Sequence, residues 1–415
     1  MPRVRRSLAC LWLLTLSSAC VSGTGPKPVA MPGAAKPSAA PVAPPREPLH
    51  ALIIGGGPDK THNQVAIESN VRYLGRLLPL TARYRVRFAD GIAESATVQF
   101  SNGPRTVAYR APDLPRLDGG ADVAGVRAEL DAAAVDARVN PKSDVLLYFT
   151  GHGSPDQRSM FANNWFDLWA RGRFTVMDLS TALRSFPVET PVTLVMVQCY
   201  SGAFGNVLFA NGDPKGALID QHVAGFFAAI PTRLAAGCTP AINEAEYKDF
   251  TGYFFAALTG QDRMGRPVSG ADYDRDGRIG MNEAFAWTLV HDDSIDTPVC
   301  TSDAFLNRFV AIPDTEIAGT TFSELSSWAG PAQRAALNGL ADALRMNGDS
   351  TPQAVFGRYS RLRPNSMAPD DVRVIRFVNL ARTIARAHAL KTTGDDAIKR
   401  RYAQLLADES RNPLK

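Results

Sequence analysis

Two short apolar runs constrain this chain more than anything else in its 415 residues. Val145 to Gly153 reads Val-Leu-Leu-Tyr-Phe-Thr-Gly-His-Gly, and Val192 to Gln198 reads Val-Thr-Leu-Val-Met-Val-Gln before the small-residue turn Cys199-Tyr-Ser-Gly-Ala-Phe204. Continuous rather than alternating apolar residues suit strands buried on both faces, as in a parallel sheet covered by helices. Each run ends in a reactive side chain, His152 in the first and Cys199 after the second. Chemistry in an open parallel sheet collects at the carboxyl ends of neighbouring strands, so the pattern reads as a thiol nucleophile facing its imidazole base. The other five histidines, His50, His62, His222, His291 and His388, have no such setting.

The flanking pattern supports such a sheet. His50 to Gly57 is a short apolar run ending in three glycines, Val65 to Leu78 carries Ile67, Val71, Leu74 and Leu77 or Leu78 at helical spacing, and Tyr84 to Phe88 suits a second strand. Thr97 to Tyr109 alternates around Ser101-Asn-Gly-Pro104 and predicts a hairpin. Helices over Val123 to Ala137 and Leu179 to Phe186, and a further strand over Thr232 to Gly237, complete an alternation that implies a doubly wound, mostly parallel α/β sheet. The three glycines lack the Gly-x-Gly-x-x-Gly spacing of a dinucleotide site. After about residue 315 the pattern turns helical, over Pro331 to Met346, Asp370 to Leu390 and Asp395 to Asp408, and the middle helix is amphipathic.

Strand-His-Gly followed by strand-Cys-x-x-Gly resembles the caspase–hemoglobinase (clan CD) cysteine peptidases. The 47 residues from His152 to Cys199 are close to the roughly 50 of caspases. Cys199-Tyr-Ser-Gly202 is nearest to the Cys-x-Ser-Gly of bacterial legumain-like enzymes, whereas Gln198 stands where both groups usually carry a small residue. The resemblance implies a peptidase domain over residues 49–315 with Cys199 as nucleophile and His152 as acid/base. The N–H groups of Gly153 and Cys199 would hold the oxyanion, and glycine lets a substrate carbonyl approach the backbone. A thioester acyl-enzyme resolved by water makes an endopeptidase, and one resolved by an amine makes a transpeptidase or ligase. A caspase-like interaction module without catalysis is the reading from a different class. The resemblance also points to Asn63 as the residue that orients the imidazole and to Glu244 and Glu246 as pocket carboxylates, beside the plainer reading of both as surface groups. Residues 316–415 read as a small helical appendage, or as the segment that covers the active site in legumain-like zymogens.

Asp272-Tyr-Asp274-Arg-Asp276-Gly277-Arg278-Ile279-Gly280-Met-Asn-Glu283 fits the twelve-residue EF-hand loop. Carboxylates fall at positions 1, 3, 5 and 12 and glycine at 6, so the expected Ca²⁺ ligands are Asp272, Asp274, Asp276, the Arg278 carbonyl and Glu283. Gly260 to Gly270 makes a poor entering helix, which points to a single structural calcium loop rather than a paired sensor.

The first nineteen residues have a basic start, an apolar stretch from Leu8 to Leu16 and Ser17-Ser-Ala19 before Cys20, the layout of a removable export signal. Cys20 resembles a bacterial lipoprotein acceptor, and ordinary signal cleavage suits the same residues. Residues 20–48 are rich in Pro and Ala and read as a disordered tether. Together these features predict a bacterial envelope protein, anchored through an N-terminal lipid at the outer membrane, in the periplasm or on the cell surface. A formal charge of +4, three of whose positive residues are Arg3, Arg5 and Arg6 of the signal, leaves no basic excess for nucleic acid. The expected partner is a protein or peptide substrate. With Cys199 kept free, Cys238 and Cys300 either form a disulfide or remain separate thiols.

Overall fold

The computed structural model describes residues 48–103, 106–346 and 350–415, which fall in one compact unit. The expected export signal, Cys20 and nearly all of the expected tether lie outside the described residues, as does Pro104 of the expected hairpin.

Strands β1 (His50–Gly56), β2 (Arg83–Phe88), β3 (Val98–Gly103), β4 (Thr106–Arg110), β5 (Val145–Ser154), β6 (Trp165–Leu168), β7 (Gly172–Thr175), β8 (Val192–Met196), β9 (Val223–Phe227) and β10 (Val299–Cys300) form two sheets. The main sheet runs β10-β9-β8-β5-β1-β2, parallel throughout except for the antiparallel edge strand β10. β6 and β7 extend the far end of β5 as an antiparallel ribbon, while β3 and β4 form the separate hairpin. The chain leaves β1 for β2 on one side and returns to β5 on the other, so the β1–β5 boundary is the topological switch point, the place where open α/β sheets carry their sites.

The helices are α1 (Val65–Leu77), α2 (Val123–Val139), α3 (Val176–Leu183), α4 (Phe250–Thr259), α5 (Met281–His291) and α6 (Thr301–Phe309), followed by α7 (Asp314–Gly319), α8 (Phe322–Trp328), α9 (Pro331–Ala343), α10 (Gln353–Tyr359), α11 (Pro369–Thr393) and α12 (Asp396–Glu409). Sheet residues alternate between two cores. Leu147, Phe149, Leu194 and Met196 face α2, α3 and α12, while Leu146, Tyr148 and Val195 face α1, α4 and α5. A third core joins α5 to α7–α11 around Leu289, Leu337, Phe377 and Ile384. Burying a Leu or Phe side chain is worth about 1.5–3 kcal/mol, so the third core fastens the helical region to the sheet layer through α5. Among the described residues no helix is long and apolar enough to cross a membrane.

The expected strand over Thr232–Gly237 is a loop, and the strand lies earlier, at Val223–Phe227. Val-Ala-Gly-Phe-Phe is wholly buried beside β8, whereas Pro231 precedes the later segment and its N–H groups bond elsewhere. The helix expected at Leu179 begins at Val176, where Thr175 and Asp178 form a capping box. Helix α4, between its Asp249 cap and the left-handed Gly260, and the β6–β7 ribbon were not legible as periodicity.

Candidate active site

His152 lies near the end of β5, and the β5–β8 register, Phe149 opposite Met196, continued three residues brings it level with Cys199. The approach is close: a Cβ built on Gly153 would lie 2.3 Å from the Cys199 carbonyl oxygen and 2.5 Å from Gln198 Cγ. Beyond the thiol the chain turns sharply, with Tyr200 in the left-handed region at φ 61°. Non-glycine residues reach that conformation at some cost, and it recurs at functional sites.

The imidazole is oriented from the β1 end. His152 Nε2 lies 2.9 Å from Gln64 Oε1; with the amide oxygen as acceptor, Nε2 carries the proton and Nδ1 is left as the basic nitrogen. The expected orienter, Asn63, instead donates to the Thr97 carbonyl at 3.2 Å. Gln64 is one residue further on, at the N-cap of α1, and makes no capping bond there. His62 packs edge-on against His152 with ring centroids 5.7 Å apart, and its own Nδ1 pairs with Asp59 at 2.8 Å. Asp167, opposite His152 on β6, accepts from Ser154 Oγ and Trp165 Nε1.

The sulfur of Cys199 meets the loop after β9. Ala235 N–H donates to Sγ at 3.3 Å, and Sγ lies 3.7 Å from the Ala235 carbonyl. Burial raises the Cys199 pKa, with the Ala235 N–H opposing it. Burial, then the neighbouring His62, lowers that of His152. Both shifts favour the uncharged form of the group concerned. A neutral imidazole can act as a base and then as an acid toward a group within its reach.

The three described cysteines are free. Cys238 does not pair with Cys300: its thiol donates to the Gly151 carbonyl at 3.6 Å, while Cys300 sits between Ser302 Oγ at 3.1 Å and Asp303 at 3.5 Å. Glu244 and Glu246 are engaged as well. Glu244 pairs with Arg72, which also holds Glu68 at 2.9 Å, and Glu246 accepts from Asn243 at 2.8 Å. Glu244 is thus closed to a basic substrate, while Glu246 stays exposed beside Asn243.

In the acidic loop, one carboxylate oxygen from each of Asp272, Asp274 and Asp276 lies within 4.8 Å of the others. Asp272 Oδ1 is buried without a hydrogen-bond partner. Glu283 Oε1 accepts from Tyr273 N at 2.7 Å and Asp274 N at 3.2 Å, and Oε2 accepts from Gly280 N at 3.0 Å, closing the loop on itself. Gly277 takes the positive φ, 82°, that position 6 requires. Converging carboxylates and an orphaned buried oxygen fit a hard divalent cation such as Ca²⁺.

No protein-family model and no curated protein matches the chain. Among solved structures it is similar to a Geobacter sulfurreducens protein at 13% identity and TM-score 0.38, covering 61% of this chain and 92% of that one. A secreted C11 cysteine protease from Bacteroides thetaiotaomicron, solved with an irreversible peptide inhibitor, matches at 10% identity and TM-score 0.29, covering 68% of this chain and 69% of that one. Chaetomium thermophilum Raptor matches at 10% identity and TM-score 0.29, covering 87% of this chain and 34% of that one. At this distance none of them speaks to what this chain does.

Proposed function

We propose that the chain is a cysteine endopeptidase of the bacterial envelope, with Cys199 as nucleophile and His152 as acid/base. The observation that carries this reading is the contact of Gly153 with the Cys199 carbonyl. It brings a thiol and an imidazole to adjacent strand ends, with Gln64 on the imidazole and the Ala235 N–H on the sulfur. His152 Nδ1 accepts the thiol proton as sulfur attacks the peptide carbonyl, and the N–H groups of Gly153 and Cys199 receive the developing oxyanion. The same imidazole protonates the departing amine, and water then resolves the thioester. The export signal and Cys20 support secretion and lipid anchoring.

Asp272, Asp274 and Asp276 would hold Ca²⁺, the Arg278 carbonyl would join them, and Glu283 would close the set by exchanging its bonds to the Tyr273, Asp274 and Gly280 N–H groups for the ion. The ion's contribution is structural: it neutralises three carboxylates and orders the segment leading into α5. The loop is not part of the reacting site.

Cleavage of a fluorogenic peptide library, varied before the scissile bond, by purified wild type and Cys199→Ala tests the proposal. Hydrolysis lost in the variant supports it. Equal signals, or silence in the wild type with Cys199 no faster toward an electrophilic peptide probe than Cys238 or Cys300, would transfer the weight to the non-catalytic interaction module.

A further inference from the structure

The sulfur of Cys199 is met by an irregular loop rather than by a neighbouring strand. Residues 230–237, leaving β9, double back over the turn at Cys199: the Arg233 carbonyl accepts the Tyr200 N–H at 2.8 Å and Ala235 N–H reaches Sγ at 3.3 Å. Within this loop the backbone makes only a tight turn, Arg233 N to Ile230 O at 3.1 Å. Its position is fixed from outside, by two buried arginine clusters.

Arg233, 5% exposed, donates Nη1 to the Pro364 carbonyl at 2.5 Å and Nη2 to the Ser366 carbonyl. Both carbonyls belong to the turn between α10 and α11. That turn is itself pinned, since Asp371 accepts from Ser366 Oγ at 2.6 Å and from Arg358 at 2.5 Å. The second cluster acts three residues along. Ala236 N–H donates to Asp296 Oδ1 at 2.6 Å, and the Asp296 segment is gripped by Arg376 of α11. Arg376, 2% exposed, donates Nε to the Asp296 carbonyl at 2.8 Å and lies 3.4 Å from the Asp292 carboxylate. A buried guanidinium is costly to desolvate unless its donors find partners. Arg233 joins the helical region directly to the loop that carries the N–H bonded to Cys199, and Arg376 does so through the Asp296 segment.

We propose that the C-terminal helical region is a working part of the Cys199 site, with Arg233 as a positioning residue whose grip on the Pro364 and Ser366 carbonyls sets Ala235 against the sulfur. The catalytic consequence rests on the peptidase reading, but the positioning is legible in thiol reactivity alone. On this view the region braces the site from behind and is not a cover to be shed.

The test is the rate at which iodoacetamide alkylates each cysteine of the full chain across a pH series, followed by peptide mass spectrometry, alongside kcat and KM. Arg233→Met keeps the apolar stem and removes the donors. The expected result is a Cys199 rate about tenfold lower near neutral pH, because the thiolate loses a hydrogen bond. Its apparent thiol pKa should rise while Cys238 and Cys300 are unchanged, and kcat should fall about as far with KM steady. Arg233→Lys, which keeps a charged donor nitrogen at the Pro364 and Ser366 carbonyls but not the planar fork, should recover most of the rate. Asp371→Asn loosens the Pro364–Ser366 turn from a distance and should shift Cys199 in the same direction, which covers the case in which Arg233→Met fails to fold. Unchanged Cys199 reactivity in folded Arg233→Met and Asp371→Asn, or equal changes at all three thiols, would overturn the proposal. A wild type that cleaves no peptide, with Cys199 no faster than Cys238 or Cys300 toward an electrophilic peptide probe, yet with the Cys199-specific shift in Arg233→Met, would remove the peptidase reading and leave this one standing.

Discussion

A methyl group placed on Gly153 would lie 2.3 Å from the carbonyl oxygen of Cys199. The two strand ends that carry the thiol and the imidazole therefore touch through bare backbone. Gly153→Ala must push them apart, by overpacking that costs about 1–3 kcal/mol. A displacement of about 1 Å at a reacting pair removes roughly 10²-fold in rate. The expected outcome is a folded protein with a modestly lower melting temperature and kcat/KM reduced about 10²-fold, measured by calorimetry and fluorogenic peptide hydrolysis.

Gln64→Leu deletes the acceptor that fixes the His152 tautomer and leaves its size nearly unchanged. The prediction is a loss of about 10–100-fold in kcat, the equivalent of one functional hydrogen bond, with KM within about twofold. Steady-state kinetics would expose the error if KM rose and kcat did not move.

His152 is held below the ordinary imidazole value of 6.5, by burial and then by His62. The base form is the active one, so activity rises with pH through the His152 pKa, and the acid limb of kcat/KM should lie below pH 6.5. Gln64→Glu places a carboxylate on the ring, favours the imidazolium and should move the limb to higher pH. A pH–rate profile of the two proteins checks both the position and the direction.

Calcium binding to Asp272, Asp274 and Asp276 would stabilise the folded chain by mass action, about 2.7 kcal/mol at an ion concentration a hundredfold above Kd. The melting temperature should rise with Ca²⁺ and fall with a chelator, and Asp274→Ala should abolish the response. A melting temperature indifferent to Ca²⁺ would remove the site.

Glu409 is buried against Thr301 and Ser302, and burial pushes its pKa from 4.5 up to about 7. The folded state thus keeps a proton that the unfolded chain releases, so the associated stability is whole below about pH 4.5 and is lost as pH rises through about 7. A shift of this size corresponds to roughly 3 kcal/mol. Glu409→Gln should remove that part of the decline between pH 5 and 8, measured as urea midpoints at the two values.

The main strands were legible because their apolar runs need burial on both faces, and the positions of His152 and Cys199 followed from where those runs stop. The site's other members were not legible. Gln64 was passed over for Asn63 because only the turn after β1 decides which amide faces the imidazole. Ala235 carries no side-chain chemistry at all, and its role lies in a backbone N–H whose direction is set by Arg233 and Asp296. Glu244 looked available until Arg72, 172 residues away in sequence, closed on it.

By itself the sequence determined the parallel α/β sheet, the two reactive strand ends and the acidic loop spacing, because each is written in local periodicity or a short fixed register. Only the tertiary structure decided that β1 is the switch strand, that Cys238 and Cys300 stand apart, and that a turn of the helical region reaches the loop behind Cys199. Those outcomes depend on contacts between distant segments, whose partners are selected by packing and by the need of buried polar groups for hydrogen bonds, and no local pattern encodes that choice.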